Sequence, residues 1–542
     1  MKIGKGSLRV ISMVLSLALI VGLLVGCGQT QNTSTETSTA AASTSAVPAS
    51  TNAEEPTAVT DTSKISTLDV FIDQNWWPVK EFKGIIPDEI TKNTGVKINL
   101  TVTADANQLG VMIASAELPD MVVAGGNFDR LSNANLCIDY DELFSKTGVA
   151  FTIDDTRKNI ARSYSNDGKY YMILNQFGTT DEIMAAPIGA PAQPALFYRQ
   201  DMYEKLGSPK LDTMDDFLKV CEMVKKEFPG VTPLGLGGWW KFQDFSYWLG
   251  GAGAAAYQPQ PDGSVVYKTS SPAYEDVLKF ANTCARNGYI TPEDYAESNE
   301  GNSHAKAYNG KFFFYPWYLD PQNLTQLQSE SAKIDPNAKW SVVKPLGKPA
   351  YNCWPGWLGM FVSRNCKDTT AAAKFISFLL SDKGQLLSYS GREGTDFTLD
   401  ANGVPKYTQE FLDTRKDSAK FNEVYNTWFD WGLGYVAQMK GGFAGLDQDL
   451  LDRYGAYRTG WKNYPEVAIA NPKSNTDEGA IYAKLETLVP AEESKVIFTK
   501  SDADFEAKYT AMQNILKQNG VDTLNAYMTK TTKEVKDKFG FK

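Results

Sequence analysis

The sequence predicts an α/β protein of two or three domains, with mainly parallel sheets flanked by helices. The first observation is length: the chain has 542 residues, and a single hydrophobic core stops growing at about 250 to 300 residues. The second is the alternation of strand-like and helix-like segments from Leu68 onward, the order that gives parallel strands joined by helical crossovers. The third is the run Phe312-Phe313-Phe314-Tyr315, too short for a helix and too apolar for an exposed strand, which reads as a strand buried on both faces. Pro316 ends it, and Trp317 and Tyr318 follow at its carboxyl end, where open α/β sheets place their ligands.

The elements follow in order. Lys2, Lys5 and Arg9 precede an apolar run, Val10 to Val25, that is short for a bilayer span of about 20 residues and reads as a signal peptide over 1–26. It closes on Leu24-Val25-Gly26-Cys27, which resembles the lipobox of bacterial lipoproteins and implies a diacylglyceryl anchor on Cys27. From there to residue 64 the chain is Ser, Thr, Ala and Asn with almost no apolar bulk; it cannot offset its ordering entropy and reads as a tether.

Strand Leu68 to Ile72 runs into Gln74-Asn75-Trp76-Trp77-Pro78, a second pair of rings beyond a strand. Strand Val96 to Val102, helix Leu109 to Ala116 and strand Met121 to Ala124 follow, then the loop Gly125 to Arg130. Asp201 is expected to cap a helix Met202 to Leu206 that Gly207 ends. Thr213 and Asp216 approximate a capping box, ahead of Phe217, Val220, Cys221 and Val224 on one helical face. Ser271-Pro272 opens another helix, with Tyr274, Val277, Leu278, Ala281 and Cys284 on its inner side and Gly288 at its end.

Between those helices, Gly237 to Phe242 reads as a glycine turn that projects Trp239 and Trp240, while Trp248 shares a core face with Phe245. Trp340 to Val343 is a strand, and Thr370 to Leu380 an amphipathic helix closed by Gly384. Ala401-Asn402-Gly403 is a hairpin turn, and the remainder is helical and polar; Trp428, Trp431 and Trp461 lie there with core and cleft positions equally open.

Composition narrows the chemistry. A net charge of -10 argues against a polyanionic partner, because nucleic-acid binding needs clustered basic surface. Of six Cys, Cys27 is the lipidation candidate, and the remaining five contain no C-x-x-C pair, which supports neither a zinc site nor a disulfide framework. The Asp-rich turns lack the calcium-loop spacing. The one His, His304, lies in the polar stretch Asn302-Ser303-His304-Ala305-Lys306 and reads as a surface residue. No metal and no cofactor are expected.

Several segments carry a resemblance. Ala114-Ser115-Ala116-Glu117-Leu118-Pro119-Asp120, Gly168-Lys169-Tyr170-Tyr171, Ala195 to Gly207 with Asp212 to Phe217, Ala307 to Trp317, and Gly391 to Phe397 are similar, in wording and order, to extracellular solute-binding proteins of ABC importers. The likeness is to the maltose-binding-protein-like family 1, in its long Gram-positive lipoprotein branch. It implies a two-lobed periplasmic-binding-protein-like (type II) clamp with a helix-rich C-terminal extension. Residues 65–193 and 351–390 would form lobe 1, and 194–350 and 391–542 lobe 2. On the family pattern Asp129 and Arg130 fall on polar ligand contacts and Trp317 on a stacking ring; Asn127, Arg392 and Glu393 are further contacts. With Trp76, Trp77, Trp239, Trp240 and Trp357 these are the candidate ligand residues. The implied protein is a monomer, not an enzyme, that passes a carbohydrate to an ABC permease. A secreted carbohydrate-active enzyme, with a carboxylate pair hidden among 64 Asp and Glu, and a sensory or adhesive lipoprotein are the alternatives.

Overall fold

The computed structural model describes residues 65–75, 77–105, 107–191, 193–250, 257–347, 351–352, 355–427, 434–473 and 476–541, with side chains for all of these but 238–240, 250, 351 and 352. The signal peptide, Cys27 and the tether lie outside the described residues, as do Trp76, Trp428 and Trp431.

Two sheets organise what is described. Their strands, in chain order, are β1 (Ser66–Ile72), β2 (Val96–Val102), β3 (Met121–Ala124), β4 (Cys137–Ile138), β5 (Pro194–Arg199), β6 (Thr232–Leu234), β7 (Phe312–Tyr318), β8 (Trp340–Val342) and β9 (Gly359–Ser363). The first sheet has the order β2-β1-β3-β9-β4 and the second β8-β5-β7-β6. β1 pairs parallel with β2 from Ser66↔Val96 to Ile72↔Val102, and with β3; β6 is parallel to β7. The strands that border the interlobe crossings run the other way: β5 is antiparallel to β7, with Pro194 opposite Tyr318, and β9 is antiparallel to β3, with Gly359 opposite Ala124. A strand that enters a sheet from its carboxyl edge has to run against the parallel strands, which is why parallel pairing is less prevalent than the alternation of elements predicts.

Local chemistry sets most of the helices as expected. Thr213 accepts from the Asp216 N–H, and Ser271 from the Ala273 N–H with Pro272 in the first turn. The predicted apolar stripes are buried, including Cys221 and Cys284, and Gly207 is left-handed at φ 81°. Three local expectations are corrected. Asp201 is not a cap: it lies inside the helix Gln200–Lys205, whose N-cap is Arg199. Gly384 does not end the helix Thr369–Leu380; Ser381 ends it and also caps the next helix, Asp382–Ser390. Trp239 and Trp240 are not on a turn, because the helix Gly238–Gly250 already includes them.

Each sheet has its own core. Leu68, Val70, Ile72, Met121 to Ala124 and Met360 to Val362 fill the first, and Leu196, Phe197, Phe217 and Phe312 to Tyr315 the second. Core membership departs from the expected lobe boundaries at two places. Phe411, Phe421 and Tyr425 belong to the first core, and Ile183, Ala186 and Ala190 to the second. The helices Asp477–Ile497, Asp502–Gln518 and Val521–Phe539 extend the second core through Leu485, Val489, Met512, Leu516, Leu524 and Met528.

Candidate functional site

The crossings fix which edges of the two sheets meet. The first crossing leaves the β3/β9 edge, where Leu174 bridges to Gly359 and the Asn175 N–H donates to the Leu358 carbonyl. It enters the second sheet at Pro194, opposite the carboxyl end of β7. A second crossing leaves the same edge of the second sheet after Val343, whose N–H donates to Leu196 O, and re-enters the first sheet at Gly359, opposite Ala124. Both connections therefore join the carboxyl edge of β1 and β3 to the carboxyl edge of β7. A third passes between Tyr425 of the first core and Tyr435 of the second, with the Tyr435 N–H on Phe177 O of the first crossing. The loops at these two edges therefore border the space between the lobes, the position in which open α/β sheets hold ligands.

On the second lobe Trp317 is half-exposed beyond the buried run Phe312–Tyr315. Its indole lies against the imidazole of His304, with ring centroids 4.2 Å apart and a tilt of 39°. Lys241 lies beside it, almost fully buried at 1% side-chain exposure, its Nζ 5.0 Å from the Tyr315 ring centre and 5.1 Å from that of Trp317. Lys241 Nζ is 3.1 Å from Glu300 and 3.7 Å from Asp244. Burial by itself would strip a proton from Lys241, but Tyr315, Asp244 and Glu300 outweigh it and hold the ammonium well above its ordinary value. Burial pushes the Asp244 carboxyl up to about 7, and the nearby ammonium only partly reverses that. His304 completes the network: Nδ1 is 2.9 Å from the Tyr315 hydroxyl and Nε2 3.5 Å from Glu300. Burial holds its pKa below the ordinary histidine value in spite of Glu300.

Next along the chain, Asp320 caps the helix Pro321–Ala332 and accepts from Gln438 Nε2 at 2.9 Å, and burial raises its carboxyl as well. On the first lobe Asp73 stands just past β1, half-buried, with its carboxyl pushed up to about 6 by burial. Gln74 packs under Gly125, where an added Cβ would come within 2.4 Å of Gln74 Nε2.

The expected site residues separate into groups. Trp317 and Trp357 both stand at the cleft edges and are partly exposed. Trp357 Nε1 donates to Gln176 at 3.0 Å, and Asn175 Oδ1 accepts from the Trp357 and Leu358 N–H groups. Asn127, Asp129 and Arg130 follow β3 at the same edge; Asn127 is left-handed at φ 55° and accepts from Arg130 Nη1 at 2.9 Å. Asp129 is half-exposed on the short helix Phe128–Leu131. Trp77 is placed in the first core at 1% exposure, its ring 6.5 Å from that of Trp357, because the chain turns inward after Gln74. Trp239 and Trp240 open the helix that carries Lys241 and Asp244, and Trp76 lies outside the described residues.

Arg392 and Glu393 are not brought to the cleft. They line a pocket of about 200 Å³ with Glu89, Lys92 and Asn93, toward the end of a helix that runs away from the carboxyl edge of β1. Arg392 is a structural group, its guanidinium paired to Asp396 at 2.9 and 3.0 Å. His304, expected on the surface, is half-buried behind Trp317. Sequence reasoning missed Lys241, Asp244, Glu300 and Asp73. The i,i+3 and i,i+4 spacings of Lys241 with Asp244 and Glu300 with His304 were the available signal. Among the described residues no group of three His, Cys, Asp or Glu is arranged to hold a metal ion. The arrangement suits holding a flat apolar face against an indole while carboxylates and amides bond a polar rim.

Comparison with known proteins agrees with this architecture. A search of the curated proteins finds no match. Among solved structures, the chain is similar to the alginate-binding protein AlgQ2 in its calcium-free form, at 17% identity over 89% of this chain and 100% of that one, with a TM-score of 0.61. It is similar to FusA, an ABC-transporter substrate-binding protein of S. pneumoniae in complex with kestose, at 18% identity over 87% and 100%, TM-score 0.64. A solute-binding protein of Bifidobacterium longum infantis, described as HMO-binding and ABC-transporter-associated, gives 14% identity over 86% and 98%, TM-score 0.59. At these identities the likeness establishes a shared two-lobed α/β fold. The family model of the bacterial extracellular solute-binding proteins matches residues 76–386, more than half of the 542, and with the two facing sheet edges this shows that the chain belongs to that family of binding proteins.

Proposed function

We propose that the protein captures an oligosaccharide between its two lobes and delivers it to an ABC permease, held at the outer face of the membrane by lipid on Cys27. The observation that carries the carbohydrate reading is Trp317: a half-exposed indole at the cleft edge of β7, fixed from behind by His304 and Lys241. A sugar presents an apolar C–H face and a hydroxyl rim. The indole would cover the first, while Asp73, Asn127 and Asp129, just past β1 and β3, are the candidates for the second. Proteins of similar fold described as alginate-binding, as HMO-binding, or in complex with kestose add weight to the same ligand class. Contacts to both lobes favour a closed form, which a permease can tell from the open one.

The test is a thermal-shift screen of the purified protein with kestose, alginate oligosaccharides and N-glycan fragments. A sugar at 100 times its Kd stabilises by about 2.7 kcal/mol. No shift with any saccharide, and a shift with peptides instead, overturns the carbohydrate reading. For the anchor, Cys27→Ser is expected to release the protein from the membrane fraction into the medium; retention in that fraction refutes it.

A further inference from the structure

We propose that His304 is the positioning residue of the Trp317 platform, setting the tilt of the indole through a chain of contacts that adding a proton to the imidazole rearranges. This rests on Trp317 being the face that meets ligand.

The geometry comes first. Trp317 occupies the last turn-out of β7, where only Ala195 of β5 lies opposite it, so the strand does not fix the ring. The imidazole lies against it at 4.2 Å, with Lys241 Nζ 5.1 Å from its ring centre and the Tyr315 ring edge-on at 6.3 Å. That imidazole is held on its other sides by Tyr308, whose ring is nearly parallel to it at 12°, and by Tyr315, whose ring is edge-on. Tyr308 is itself fixed by Gln326 Nε2 at 3.0 Å, and Tyr315 Oη lies 3.2 Å from Ser303 Oγ. Tyr308 and Tyr315 are thus anchored on the sides of His304 away from the indole.

The proton inventory then decides what the ring tolerates. Nε2 faces the Glu300 carboxylate, so the neutral imidazole keeps its hydrogen there and accepts from the Tyr315 hydroxyl at Nδ1. A second proton goes on Nδ1. The Nδ1–H then donates to the Tyr315 oxygen, while the Tyr315 hydroxyl donates to Ser303 Oγ at 3.2 Å. The groups facing the ring are Glu300 and Tyr308 on its own helix, Lys241 on the helix Gly238–Gly250, with Asp244 beyond it on Lys241, and Tyr315 and Trp317 on β7. Glu300 is already bonded to Lys241 and is held down to about 2 by His304 and Lys241, so it stays ionised throughout. Lys241 stays charged and repels an imidazolium. Asp244 is the other group here that titrates near neutrality. The new cation is bonded at Nε2 to the Glu300 carboxylate, repelled by Lys241, and lies as a charged ring against the indole. That commits the ring's π-face and alters the 39° tilt on which a sugar would rest.

The chain's single His makes this decidable. The protein is labelled with 5-fluorotryptophan, and the Trp317 resonance is assigned by its loss in Trp317→Phe. Titrated from pH 8 to 5 without ligand, that resonance is expected to move with the same midpoint as the His304 imidazole proton signal, below 6.5. The movement is expected to persist in Asp244→Asn and to vanish in His304→Gln, which keeps hydrogen-bonding capacity but cannot charge. In parallel, the Kd for kestose is expected to rise about tenfold per pH unit below the midpoint, since only the neutral form competes for sugar, and to become flat in His304→Gln. A Trp317 resonance that ignores the His304 titration, or that still titrates in His304→Gln, overturns the proposal. If the resonance titrates as expected but no saccharide perturbs it, the positioning role stands and the carbohydrate reading fails.

Discussion

Removing the Trp317 ring is the most direct perturbation of the cleft. One face of the indole is taken by His304, and the residue is partly buried, so at most roughly 100 Å² of ring is available to a sugar face. At about 25 cal/mol per Å² that area is worth up to about 2.5 kcal/mol, a factor of about 60 in Kd. Trp317→Ala is therefore expected to raise the calorimetric Kd for the best saccharide of the screen by up to about 60-fold. Trp317→Tyr, with a smaller flat ring, is expected to fall between. Because the indole also packs on His304 and Lys241, the ligand-free melting temperature and circular dichroism of each variant must be measured alongside. A folded Trp317→Ala whose Kd stays within about threefold of the parent refutes the stacking argument and returns Trp317 to a packing role.

Two predictions concern the scaffold. Arg199 and Asp201 form a buried pair, bonded at 2.8 and 3.0 Å, with the Lys339 N–H on the same carboxylate; Arg199→Ala leaves it only that N–H and the exposed Lys205 at 3.9 Å, and is expected to cost about 3 kcal/mol in denaturant unfolding. Glu466 is 2% exposed, and burial raises its carboxyl to about 7 although Lys536 lies 3.5 Å away. A carboxyl raised in the folded state favours folding below its unfolded value of about 4.5, and that contribution is lost as pH rises toward 7. Glu466→Gln is thus expected to gain stability over the parent by up to about 3 kcal/mol at pH 8, and the gain should shrink toward zero at pH 5; a pH-independent difference refutes the assignment.

Much of the scaffold was legible because it depends on local rules. The period-two and all-apolar runs located β1, β2, β3 and β8 nearly to the residue, and capping chemistry placed the helices that begin after Thr213 and Ser271; β7 was found but not its end, because Pro316, expected to stop it, pairs with Leu196 and the strand continues to Tyr318. The cleft side chains were harder, because what defines them is contact between distant segments. His304 sits in a polar run that gives no sign of an indole 13 positions later stacking on it. Asp201 satisfied a capping pattern, yet Arg199 and the Lys339 N–H across the sheet held its carboxylate inside the helix. Arg392 and Glu393 matched a motif by order in the chain, but Arg392 pairs with Asp396 in the turn ahead of the hairpin strand Phe397–Leu399. Trp77 follows a strand as Trp317 does, and only the inward turn after Gln74 decides that it is interior.

The position of β9 bears on biogenesis. Residues 359–363 insert between Met121–Ala124 and Cys137–Ile138, so the amino-terminal sheet lacks an inner member until more than 220 further residues have been delivered after Ile138. An exported chain emerging amino end first would carry an open, apolar ladder edge for most of its passage, while the later sheet, whose members all precede residue 343, is free to assemble. Maturation should accordingly proceed from the middle of the polypeptide outward, and a product cut short before Gly359 would be prone to aggregate and to proteolysis.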